Sequence, residues 1–114
     1  MKKIVINSRH GGFGLSDKAM LRYAEIKGLN LVSETDEYDL THFYVDSVDG
    51  DNYFYEDEIS RDDPALVQVV EELGDDAAGR YSELRIVEIP DDVEWHIAEY
   101  DGLEHVAENH RTWY

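Results

Sequence analysis

The chain reads as an α+β protein, a single domain in which two helices pack on one face of a mainly antiparallel sheet. Three observations predict this. The 114 residues are 42% hydrophobic and 11% aromatic, which supports one modest core and leaves no room for a second. Two stretches place apolar residues at the helical period and carry cap residues at both ends. The remainder is a series of short β-branched or aromatic runs separated by Gly, Asp and Asn, which gives the order β-α-(β)-β-β-α-β-β-β over residues 1–114.

Residues 3–7 put Ile4, Val5 and Ile6 into a short buried strand. A glycine-rich loop follows, and Ser16 is placed as a helix N-cap, with Leu15 and Met20 as the two halves of a hydrophobic staple. The helix runs over residues 17–27 and stops at Gly28. Met20, Tyr23 and Ala24 face inward, and the Lys27 stem covers the core edge. Residues 29–32 form a second short strand. Residues 41–45 and 52–55 then read as two strands joined around Val48-Asp49-Gly50-Asp51, because Asp-Gly between aromatic and β-branched runs signals a hairpin.

Asp63-Pro64 opens the second helix, whose apolar stripe is Leu66, Val69, Val70 and Leu73. Gly74 ends it, with residues 75–78 as an optional further turn. Residues 83–89 form a strand closed by Pro90. Residues 93–100 alternate in polarity, and Asp101-Gly102 turns the chain back into 103–108. A two-residue turn sets Ile97 against Val106 and Trp95 near Glu108, but it also sets Glu99 opposite Glu104, a like-charge conflict. Leu103, Val106, Ala107 and His110 fit a helical stripe as well, so residues 103–110 stay open between strand and helix, with the hairpin favoured.

Charge narrows the function classes. Twenty-seven Asp and Glu against ten Lys and Arg give a formal net charge of −17. Such a surface repels nucleic-acid phosphates and anionic membranes, and attracts basic partners. Residues 1–33 hold six basic and two acidic residues, whereas 34–114 hold four Arg and 25 acids. This fits one fold whose two ends attract each other, or a basic pocket at one end and an acidic docking face elsewhere. Cysteine is absent, which excludes disulfides, thiolate chemistry and Cys-ligated zinc. The apolar run Ile4-Val5-Ile6 is too short for a signal peptide, and no window has the length of a membrane span, so the expected location is cytoplasmic.

Four constellations are candidates for chemistry. Arg9, Gly11, Gly12, Phe13, Gly14 and Ser16 lie between a strand and a helix, where converging N–H groups and the helix terminus suit an anion, with Lys18 and Arg111 as further cations. The same glycines also fit a tight turn with Phe13 packed inward, and the spacing matches neither a Walker A loop nor a dinucleotide fingerprint. The acids Asp49, Asp51, Glu56, Asp57, Glu58, Asp62, Asp75 and Asp76 form clusters that suit a basic partner or simple solvation; no calcium loop is complete among them. His96 and His105 share a face of the last hairpin but are not opposite each other, so no metal site is expected. The tail His110-Arg111-Thr112-Trp113-Tyr114 either packs back on the sheet or forms an aromatic–basic tip beside the glycine loop. No serine sits in a nucleophile elbow, so no catalytic residue and no cofactor is expected.

The combination of Ile4-Val5-Ile6-Asn7, Gly11-Gly12-Phe13-Gly14-Leu15-Ser16, Arg61-Asp62-Asp63-Pro64-Ala65-Leu66-Val67, Val87-Glu88-Ile89-Pro90-Asp91-Asp92-Val93, Tyr100-Asp101-Gly102 and His110-Arg111-Thr112-Trp113 resembles small acidic proteins of bacteriophages and prophages. The resemblance covers nearly the whole chain, departs at His10 from an aromatic position, and carries no established catalytic residues. It implies a non-enzymatic accessory protein, in the host cytoplasm, that binds and disables host machinery. The leading expectation is therefore a chain that inhibits a basic host protein, such as a defence nuclease, through its acidic surface. The second is a sequestering protein for a phosphate-bearing small molecule, bound at the Gly11–Gly14 loop. A third is a hydrolase built from His and carboxylates. A homodimer stays open.

Overall fold

Each helix begins and ends where its cap residues put it. The structure, a computed structural model, describes residues 1–109. Helix α1 spans Asp17–Lys27; the Ser16 Oγ accepts the Ala19 N–H at 3.1 Å, and Gly28 closes the far end in the left-handed region at φ 71°. Leu15 and Met20 are both buried as the expected staple. Helix α2 spans Pro64–Leu73, capped by Asp63 Oδ1 on the Ala65 N–H at 2.8 Å, and runs past Gly74 into one 3-10 turn, Gly74–Ala77. The two helices pack together, tied at their rims by Arg22 to Glu72 at 2.8 Å and Lys27 to Asp63 at 3.3 Å.

The fold class is α+β, and every strand pairing is antiparallel. The strands are β1 (Lys2–Asn7), β2 (Leu31–Thr35), β3 (Thr41–Val45), β4 (Leu84–Ile89), β5 (Trp95–Tyr100) and β6 (Leu103–Glu108). They divide into three two-stranded ladders, β1–β4, β2–β3 and β5–β6, where the sequence suggested one sheet. A two-stranded ladder is marginal by itself, so each must be held by something other than its own hydrogen bonds. β1 is the best held: Ile4, Val5, Ile6 and Asn7 are all buried, between α2 and β6.

One expected hairpin is replaced. Thr41–Val45 pairs with Leu31–Thr35 and not with residues 52–55. The turn that joins them is built on Asp36, whose Oδ1 accepts the Tyr38 and Leu40 N–H groups, with Asp39 in the left-handed region. Asp49-Gly50 makes no hairpin turn. Asp49 caps a 3-10 turn over Gly50–Asn52, and Gly50 stays out of the positive-φ region that a tight hairpin requires. Only the Tyr44–Tyr53 bridge and the Phe54 N–H on the Phe43 carbonyl, at 2.9 Å, remain of the expected pairing.

The last hairpin has the expected register. Ile97 faces Val106, Trp95 faces Glu108, and residues 103–108 are strand. Glu99 does lie opposite Glu104, but the two carboxylates leave each other: Glu99 accepts the Gly102 N–H, and Glu104 turns inward and is buried.

That inward turn makes a polar hub. Arg61 forks onto Glu104 at 2.5 and 2.8 Å, and Glu104 also accepts the Asn7 N–H at 2.8 Å. The Asn7 side chain, fully buried, donates to the Arg9 and Gly102 carbonyls and accepts the Glu83 N–H. Every arm of Asn7 is satisfied, as burial demands. Here the backbone of Gly102 lies against Gly11 and Gly12, where a Cβ on Gly102 would fall 2.4 Å from the Gly12 nitrogen. Below this hub, one contiguous core joins Val5, Tyr23 and Phe43 to Leu66, Val69 and Val70 of α2. Each such side chain contributes roughly 1.5–3 kcal/mol on burial.

Candidate partner-binding face

An anion of the chain itself takes the donor at the end of the glycine loop. Gly11 and Gly12 adopt φ 125° and 97°, as the sequence led one to expect. Phe13 turns in beneath the Arg61 guanidinium, 3.6 Å from its ring centroid. The Gly14 carbonyl accepts the Gly79 N–H and the Ser82 hydroxyl, and the Ser16 N–H goes to the Ala77 carbonyl. The next donor, the Leu15 N–H, is taken at 2.8 Å by Oε2 of Glu56. The loop therefore holds a carboxylate. A phosphate arriving at Leu15 would displace Glu56 and meet the negative charges of Asp17 and Asp57 beside it.

Among the described residues, the cation that lines the hollow at Gly11–Gly14 is Arg80. Lys18, in the first turn of α1, is 3.9 Å from Asp76. Arg9 is exposed and contributes its backbone carbonyl to the Asn7 hub. Arg111 and the aromatic tail lie outside the described residues. Burial raises the Glu56 carboxyl above its ordinary range, and Asp57 and Asp17 raise it further, against lowering by the Leu15 N–H and Arg61.

The expected acids fall into three places. Asp49, Asp51, Glu56, Asp57 and Glu58 follow one another on the two 3-10 turns after β3, Gly50–Asn52 and Glu56–Glu58. Asp75 and Asp76 lie on the turn after α2, with Asp76 near Lys18. Asp62 is elsewhere, beside Lys2 and Lys3 at the start of α2, and accepts the Ser60 hydroxyl. The eight acids thus do not make one patch.

What the structure assembles instead is a mixed acidic and aromatic flank over residues 34–58. This segment holds ten Asp and Glu, four Tyr, two Phe and no Lys or Arg. Among the described residues, the one basic side chain within ion-pair distance of these acids is His42, 2.8 Å from Asp36. Tyr44, Tyr53 and Tyr55 touch in a row, with ring centroids 5.3 and 4.4 Å apart, and Tyr55 is exposed. Three adjoining hollows meet at Leu15. One is walled by Tyr53, Tyr55, Glu56 and Asp57; a broader one of about 410 Å³ lies between Leu40 and Tyr81, both exposed. Sequence reasoning found the acids at 49–58 but missed Asp17, Asp36, Asp39 and the tyrosines. The available signal was the absence of Lys and Arg from 34–58.

His42 also joins Asp36 to Tyr53, with its Nδ1 3.2 Å from the Tyr53 hydroxyl. The His42 hydrogen bond, aided by the Leu40 and Tyr38 N–H groups, holds the Asp36 carboxyl below its usual range. Burial pushes the Tyr53 hydroxyl up, and the neighbouring Tyr44, Tyr55 and Glu56 push the same way. His96 lies opposite Ala107, and His105 opposite Ala98; among the described residues no three His or carboxylate groups converge on a metal position. No described helix is long and apolar enough to cross a membrane.

Compared with known proteins, the chain matches no family model, no curated protein and no solved structure. The functional reading therefore stands on this flank's geometry and charge.

Proposed function

We propose that this chain is a non-enzymatic accessory protein, of the bacteriophage kind its motifs resemble, that binds and inhibits a basic host protein through the acidic and aromatic flank at residues 34–58. A cationic defence nuclease is the type of target this surface suits. One observation carries the reading: ten carboxylates share this segment without a single Lys or Arg, while five of the chain's cations pair with acids elsewhere. A surface that leaves like charges uncompensated gains most from an outside cation. Exposed tyrosines add contact area that stays favourable in water.

The test is to mix the purified chain with a panel of cationic nucleases and measure complex formation and nuclease activity as salt rises. The expected result is inhibition that is strong at low ionic strength and weakens steeply by about 0.5 M salt, where the screening length falls to a few ångströms. Absence of any complex at low salt, or a complex indifferent to salt, overturns the proposal.

A further inference from the structure

One hollow on this flank joins tyrosine rings to carboxylates. Its volume is about 230 Å³, and its lining includes Tyr53, Tyr55 and Phe43 as aromatic rings and Asp17, Glu56 and Asp57 as acids. That volume is below the roughly 300–1,000 Å³ of sites that enclose a whole small molecule. Glu56 spends one oxygen on the Leu15 N–H, and burial makes its charge costly. A cation alongside would repay that cost.

The chain already contains the interaction this hollow lacks. The Arg61 guanidinium sits over the Phe13 ring, 3.6 Å from its centroid, and forks onto the Glu104 carboxylate. A planar guanidinium can stack on a ring and pair with a carboxylate at once, which a compact ammonium does less well. Tyr55 beside Glu56 and Asp57 offers the same two surfaces, unfilled by any Lys or Arg of segment 34–58.

We infer that this hollow receives an arginine side chain of the basic partner, its guanidinium stacked on Tyr55 and Tyr53 and its N–H groups directed at Glu56 and Asp57. The inference rests on the proposed acidic docking face and adds a side-chain specificity to it.

Fluorescence anisotropy with labelled oligo-arginine and oligo-lysine peptides of equal length tests it. The wild type is expected to bind oligo-arginine about threefold to tenfold more tightly, the scale of a stacked cation on an aromatic ring. Tyr55→Leu should erase that preference by weakening oligo-arginine alone, and Tyr55→Phe should keep it. Asp49→Asn with Asp51→Asn, outside the hollow, should weaken both peptides equally. Equal affinity of the wild type for both peptides, or a preference that survives Tyr55→Leu, overturns the arginine slot while leaving the acidic face standing. If neither peptide binds at low salt, the slot and the face fall together.

Discussion

The two flanks of this chain carry their acids in opposite ways. Around the helices and β1, five cations each meet a carboxylate: Lys3 with Glu71, Lys18 with Asp76, Arg22 with Glu72, Lys27 with Asp63, and Arg61 with Glu104. Across residues 34–58, ten acids have only His42 as an ionic partner among the described residues. The first arrangement spends charge on holding segments together; the second leaves it facing outward. Net charge alone does not separate the two, because structural and interaction acids count the same in the total.

The largest effect is expected at the most buried pair, Arg61 with Glu104. Glu104→Ala strips Arg61 and the Asn7 N–H of their shared acceptor, and should cost about 3–5 kcal/mol, the usual range when one member of a buried pair is removed. A urea unfolding midpoint measures it. A loss below about 1 kcal/mol would put this hub on the level of an exposed ion pair.

Replacing Asp49 and Asp57 with Asn, Asp51 with Asn and Glu58 with Gln should have the reverse profile. Affinity for a cationic partner at low salt should drop about tenfold or more. The melting temperature should hold or rise, since like-charge repulsion is relieved. Calorimetry beside a binding titration separates the two effects, and a large loss of stability would make these acids structural.

Glu72 sharpens the same contrast through pH. The Arg22 hydrogen bond, with a further one from Gln68, holds the Glu72 carboxyl at about 2, well below its ordinary 4.5. A depressed carboxylate stabilises the fold above its unfolded pKa, and that contribution fades as pH falls from about 4.5 toward 2. Glu72→Gln should therefore melt lower than the wild type at pH 6, and the two melting curves should converge near pH 2.

The smallest expected effect has the opposite sign. Burial raises the Glu56 carboxyl, so its ionised form weighs against folding at neutral pH. Gln at position 56 can still accept the Leu15 N–H. It should raise the melting temperature by roughly 1–3 °C at pH 7. The gain should vanish in acid, where Glu56 is already protonated. The same substitution should weaken binding of a cationic peptide, a local exchange of stability for function.

Local signals made much of this fold legible. Ser16, Gly28, Asp63-Pro64 and Gly74 mark both helices because caps act within a few residues. Asp101-Gly102 fixes the register of β5 and β6, with Asp101 and Gly102 both at positive φ. What escaped was nonlocal or competitive. β3 had two adjacent candidates for a partner, and the Asp36 turn outcompeted Asp49-Gly50. Glu104 read as a repulsive neighbour of Glu99 because its partner, Arg61, is distant in sequence. For the candidate site, the acids at 49–58 were visible, but Glu56's reach to Leu15 joins two segments 41 positions apart. At the end of the glycine loop, that reach gives the Leu15 N–H to Glu56.

The Asn7 hub also governs when the molecule can close. β1 pairs with β4, and Asn7 bonds to Glu83, Gly102 and Glu104. During synthesis both helices can coil and meet while the first strand still lacks its partners. It settles only after residue 104 has left the ribosome, so final assembly waits on the slow, long-range step. Ile4, Val5 and Ile6 stay without their ladder until β4 emerges, and Asn7 completes its bonds only with Gly102 and Glu104; the interval before β4 is when this strand is most open to aggregation.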